Sequence, residues 1–227
     1  MEKLLELLKE KEDLKYRDFT ASANPTYNKK DIIGVRIPDI RNIAKEVKGS
    51  KDAYNFLSNL PHKYLEENLL HMALLEYESD YNNLIKYLND ILPHLKSWSE
   101  TDTFNNKVIK KNLDNYIEVI KYWINNDNIY TKRFAICQLM KFYLGNNFKR
   151  EYLELVGNIP SLNEYYLQMM IAWFFATAFA KHYEETLDVF INSNLDTFTF
   201  NKTISKCSDS FRITLKQKDY LKSLRKK

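Results

Sequence analysis

Glycine and proline are scarce, with 4 and 5 residues among 227, against ordinary usage of about 7% and 5%. Turn-rich β folds rely on both residues at tight turns, so their scarcity argues for long helices. The two cysteines, Cys137 and Cys207, stand far apart with no CxxC or Cys/His spacing. Neither a zinc site nor a disulfide framework is indicated, and no cofactor or metal is expected. Cys137 falls in the apolar phase of a predicted helix and reads as core. Long hydrophobic runs are missing too. Met169 to Ala180, the most apolar stretch, covers twelve residues, where a bilayer-spanning helix needs about 20. Residues 1–13 are charged and amphipathic, unlike a signal peptide. The expectation is a soluble, cytoplasmic protein with no membrane partner and reduced thiols.

Several catalytic signatures are also missing. His62, His71, His94 and His182 are dispersed, without the HxxxH or HExxH spacing of a metal site. There is no phosphate-cradling glycine loop, dinucleotide fingerprint or nucleophile elbow. These absences exclude the common ATPase, dehydrogenase, zincin and hydrolase readings.

What is present is helical periodicity. Leu4, Leu5, Leu7 and Leu8 form a first apolar stripe, and residues 27–34 read as a loop. Pro38 suits the first turn of a helix that shows Ile40, Ile43, Ala44 and Val47, with Gly49 at its C-cap. Pro61 breaks the chain before Leu65, Leu69, Met72, Ala73 and Leu75. Further helices are predicted over 84–91, 117–124, 134–144, 152–156, 165–180 and 186–191. The last begins near Thr199 and continues into the basic tail. No segment alternates strictly, and no Asn-Gly or Asp-Gly hairpin signal appears. Many short amphipathic helices with short connections make either a bundle or an α-solenoid. The loose recurrence of helix pairs favours an all-α solenoid of irregular repeats, with residues 1–227 as one domain.

Charge is uneven. Residues 202–227 carry nine Lys/Arg against Asp209 and Asp219, a balance of +7, whereas residues 64–102 stand at −6. The basic stretch suits a phosphate-facing surface, or simply a solvated helix face. The residues that stand out begin with Trp98-Ser-Glu-Thr-Asp102, where Trp98 and Asp102 share a face if the segment is helical. Arg133 and Trp173 follow at intervals of roughly one helix pair each. A carboxylate beside an indole suits a cationic ligand, or positive charge developing on a sugar as its glycosidic bond breaks. The plainer alternatives are a surface charge or cap for Asp102, helix-surface charge for Arg133, and core packing for Trp173. Trp123 reads as structural. Arg36, Arg41, Lys202, Lys206 and Arg212 are candidates to hold phosphates without reading sequence.

Taken in order, Gly34-Val-Arg-Ile-Pro-Asp-Ile-Arg41 with Ala44-Lys45-Glu46, the Trp98…Asp102 element, Arg133-Phe-Ala-Ile, Tyr165-Tyr166…Met169…Ala172-Trp173, and Phe200-Asn201-Lys202…Lys206…Ser210-Phe211-Arg212 form a recognisable set. They resemble the bacterial DNA alkylation repair proteins, the AlkD-like DNA glycosylases with HEAT-like repeats. The resemblance spans nearly the whole chain. It implies a superhelix of antiparallel HEAT-like helix pairs whose basic concave face holds double-stranded DNA containing alkylated bases. It also implies release of N3- or N7-alkylated purines, whose positive charge makes them good leaving groups without a general acid. By the same resemblance, Asp102 stabilises the oxocarbenium-like sugar and positions water. Trp98 and Trp173 contact the lesion nucleotide, and Arg133 serves that site and the backbone. A monomer is expected. Glu100, inside the Ser-Glu-Thr insert, is expected on another helix face, where its charge lowers attraction for DNA. The alternatives are a non-catalytic repeat protein that binds damaged or branched DNA, and a protein-interaction scaffold.

Overall fold

The computed structural model describes residues 2–160 and 163–227, and among them only helices, turns and loops occur. No helix there is long and apolar enough to cross a membrane. The chain forms two compact units, Met1–Leu113 and Asp114–Lys227.

The first unit contains α1 (Glu2–Lys9), α2 (Leu14–Ala23), α3 (Ile37–Val47), α4 (Lys51–Leu57), α5 (Leu65–Leu75), α6 (Tyr81–Ile91) and α7 (Trp98–Thr101). Helices α1, α3 and α5 pack on one another, α7 packs on α5, and α4 and α6 also lie against α5. Stacking of every second helix is the arrangement of a helical-repeat solenoid. All eleven residues of α5 are buried, four of them polar or ionisable: Glu66, Glu67, Asn68 and His71. Burial of such groups is costly unless each is satisfied, and both carboxylates and Asn68 have identifiable hydrogen-bond partners. Glu66 accepts the backbone N–H groups of Ile33 and Gly34, both at 2.8 Å. Glu67 caps its own helix through Tyr64 N–H at 2.9 Å. Asn68 donates to Glu100 at 2.8 Å. The loop held by Glu66 needs glycine, because Gly34 has φ +95° and a Cβ there would lie 2.4 Å from the Asp13 carbonyl oxygen.

The second unit contains α8 (Leu113–Ile124, whose first residue closes the preceding unit), α9 (Ile129–Tyr143), α10 (Arg150–Gly157), α11 (Tyr165–Phe179), α12 (Tyr183–Ile191), α13 (Thr197–Asp209) and α14 (Leu215–Ser223). Helix α11 lies between α9 and α13, while α10 packs on α12. The solenoid-type stacking predicted from periodicity is therefore present within each unit. Trp123 is buried, edge-on to Tyr116 and Phe134, and Cys137 is core.

The sequence missed α2 and α4, both short helices with Asp13 and Ser50 as N-caps. A 3₁₀ turn, Lys29–Asp31, interrupts the expected loop. The final helix is not continuous. It stops at Ser210, where the backbone turns extended, and α14 restarts at a Thr214/Gln217 capping box after the buried Ile213.

His71 is fully buried and its Nδ1 lies 3.0 Å from His62 Nε2, with the His62 ring stacked on Phe56. Burial lowers both imidazole pKa values, His62 to about 4, and the neighbouring histidines push the same way. A depressed imidazole pKa means the unfolded chain binds the proton first. Stability should be full above about pH 6.5 and fall as pH drops towards 4. His62 alone accounts for a loss of about 1–2 kcal/mol between pH 7 and pH 5. Urea titrations across that range should show it, with His62→Phe reducing the slope. A midpoint that does not move with pH would contradict this account.

Candidate functional site

The Trp98–Asp102 segment is a single helical turn. Ser97 caps it, its Oγ accepting Ser99 N–H at 3.2 Å, and Asp102 N–H closes it onto Trp98 C=O at 3.1 Å. One turn has little stability of its own, so it needs external fixing. Glu100 supplies this from a position with no solvent exposure. Its carboxylate accepts Ser97 N–H at 2.6 Å, Lys96 N–H at 2.8 Å, Tyr27 O–H at 2.7 Å and Asn68 Nδ2 at 2.8 Å. Burial raises its pKa, and the donors act against that shift. All four partners donate, so the ionised carboxylate is the form that satisfies them. Burial and the Glu100 charge push the Tyr27 phenol well above its usual range, which keeps it a donor.

The end of α2 supplies the second anchor. Asn24 Oδ1 accepts from Ser97 Oγ and, at 2.9 Å, from Ser99 Oγ. Trp98 Nε1–H donates to Ala23 C=O at 2.9 Å while 36% of the residue stays exposed. The indole is thus fixed through its N–H with aromatic surface left accessible. Asp102, half-buried, accepts Thr101 Oγ1 at 2.9 Å. Glu100 does not contribute surface charge beside the site, as the sequence suggested; it is the internal support of the turn. Its signal was the Ser97-x-x-Glu100 capping-box pattern. Asn24, Tyr27 and Asn68 had no local signal, because their role depends on contacts 32 to 75 residues away.

Arg36 and Arg41 lie on the first unit's surface. Arg36 pairs with Asp13 at 3.0 Å and stacks over Tyr16 at 4.4 Å. Backbone and Arg36 hydrogen bonds lower the Asp13 pKa. Arg41 lies 3.8 Å from Glu76.

In the second unit, Arg133 is not an ordinary surface charge. It is 6% exposed on α9, and Nη1 donates to the Tyr166 carbonyl of α11. Trp173 is not core. Helix α11 buries Phe174, Phe175 and Phe179, leaving one outward stripe through Tyr165, Met169, Trp173 and Thr177 at four-residue spacing. Trp173 is 39% exposed on that stripe. Lys202 and Lys206 share a face of α13. Burial lowers the Lys206 pKa, with the Lys202 and Arg133 charges acting the same way and Asp209 opposing. Trp173, Lys206 and Arg212 line one cavity of about 490 Å³. Of the nine residues singled out by sequence, Arg36, Arg41, Trp98 and Asp102 thus belong to the first unit, and the other five to the second.

The family model of the DNA alkylation repair enzyme matches residues 1–205. No curated protein was found to match the chain.

Glu100→Ala should leave four donors without their acceptor and destabilise the first unit by about 3 kcal/mol or more. Urea unfolding would measure this, with Glu100→Gln retaining part of the stability. Wild-type stability in the alanine variant would remove Glu100 from its supporting role.

Proposed function

This chain belongs to the DNA alkylation repair enzyme family, and from that premise we propose that it is a DNA glycosylase releasing N3- and N7-alkylated purines. Membership gives it a role in the repair of alkylated DNA, with DNA as its partner. The finer reading rests chiefly on one observation: a half-buried carboxylate and an accessible indole are carried on one turn anchored by buried groups. Electrostatic stabilisation of a transition state works best when the stabilising group is held in place beforehand.

The substrate is a purine made cationic by alkylation, within duplex DNA. As the N-glycosidic bond breaks, its electron pair leaves with the base, which departs neutral. Positive charge then develops on the sugar, where the Asp102 carboxylate opposes it and orients a water. Water adds to C1′ and releases a proton, giving a free base and an abasic sugar. The reaction balances with water as the co-reactant. Trp98 offers a π face to the cationic nucleotide, while in the second unit Trp173 offers another to bound DNA and Arg133 contributes positive charge towards the backbone. Lys202, Lys206 and Arg212 hold phosphates. Arg36 does the same by exchanging its partner Asp13, which costs little because surface ion pairs are weak, and Arg41 by leaving the more enclosed Glu76.

Asp102→Asn should lower single-turnover release of alkylated bases from methylated duplex DNA by at least a hundredfold, while DNA binding stays near wild type. Undiminished release by the variant would refute the role of Asp102. Absence of release by wild type, with binding retained, would assign the chain to a binding-only function. Affinity should also fall steeply with salt, and Lys202→Glu should weaken it. A flat salt response would contradict both DNA readings.

A further inference from the structure

A cavity of about 490 Å³ opens in the second unit. Its lining joins residues of α11 to residues between 206 and 212. Its walls combine two kinds of group. Trp173 and Phe211 supply aromatic surface, and Lys206 and Arg212 supply positive charge, with Asp209 as the one carboxylate in the lining. The Phe211 ring is fully exposed, although Ile213, two residues on, is 4% exposed. The bend that carries it is defined by Ser210 Oγ accepting Arg212 N–H at 3.2 Å. Ala176, Thr177 and Ala180 keep the α11 side of the cavity low.

The charges facing Lys206 are Lys202 and Arg133 on one side of the balance and Asp209 on the other. With Arg212 in the same cavity the balance is positive, which an anion would relieve. A simple anion needs only the cations, and an apolar ligand needs only the rings. A nucleotide uses both, because bases stack on aromatic side chains while cations follow the phosphates. Cavities of roughly 300–1,000 Å³ commonly hold ligands of this scale.

We propose that this cavity is a subsite for one unpaired nucleotide of a DNA strand bound by the second unit, with its phosphate at Lys206 and Arg212 and its base stacked on Phe211. The assignment rests on the reading of this chain as a DNA-acting enzyme. Trp173 forms one wall of the subsite. The nucleotide is held as part of a strand, so a free mononucleotide should bind much more weakly than a short oligonucleotide.

The test is fluorescence anisotropy of a labelled thymidine tetranucleotide with the full chain, with dTMP and inorganic phosphate as competitors. Phe211→Ala should weaken tetranucleotide binding about tenfold, and Phe211→Trp should preserve it. Because the ring is fully exposed, neither change disturbs packing. Lys206→Gln should weaken binding and reduce its salt dependence. Equal affinity for wild type and Phe211→Ala would overturn the subsite. So would phosphate competing as well as the tetranucleotide, which would mark a simple anion site, or dTMP doing so, which would mark a free-nucleotide site. Base release from methylated duplex DNA by wild type is measured in parallel. Loss of that activity with Phe211-dependent tetranucleotide binding intact refutes the glycosylase reading alone. Base release with Phe211-independent tetranucleotide binding refutes the subsite alone.

Discussion

The buried Glu100 carboxylate is the constraint on which the first unit's candidate site depends. A four-residue helix cannot hold an indole and a carboxylate in fixed positions by its own hydrogen bonds. Four converging donors do so instead, two from the backbone just before the turn and two from Tyr27 and Asn68. Asn68 lies on α5, whose buried polar residues also fix the Gly34 loop and the start of α5 itself. Placing charged and polar groups in a core costs free energy unless their partners are complete. Here that cost is accompanied by a fixed position for Trp98 and Asp102.

The second unit uses a different device. Helix α11 is apolar on nearly every side and lies between α9 and α13. Burial of rings such as Phe174 and Phe175 stabilises it by about 1.5–3 kcal/mol each. Its position is set by packing, and Trp173 is the large side chain that packing leaves out.

Much of this was legible in the sequence, for physical reasons that differ by element. Helices such as α3 and α5 announced themselves through apolar spacing and through Pro38 or the break at Pro61 before them. Helices α2 and α4 did not, because each is short and its stripe is incomplete. The tail was misread as continuous because charge density hides a break; the Thr214/Gln217 box was its only local mark. Trp98 and Asp102 were visible as a pair four residues apart, and the structure adds the anchors that sequence cannot show. Trp173 and Arg133 were hardest. In a helix as uniformly apolar as α11, composition gives no phase, so exposure of Trp173 follows only from where α9 and α13 lie. Arg133 looks like a surface residue at the start of a helix, yet it is buried against the Tyr166 carbonyl.

The single outward stripe of α11 divides the helix into two kinds of heritable position. Substitutions at its inward sites are tied to folding, whereas Met169, Trp173 and Thr177 can vary with little effect on the packed faces. Selection on ligand preference therefore has a narrow track along which to act, four residues per step, largely uncoupled from selection for a stable core. Descendants of this chain that come to act on different substrates should differ along that track first.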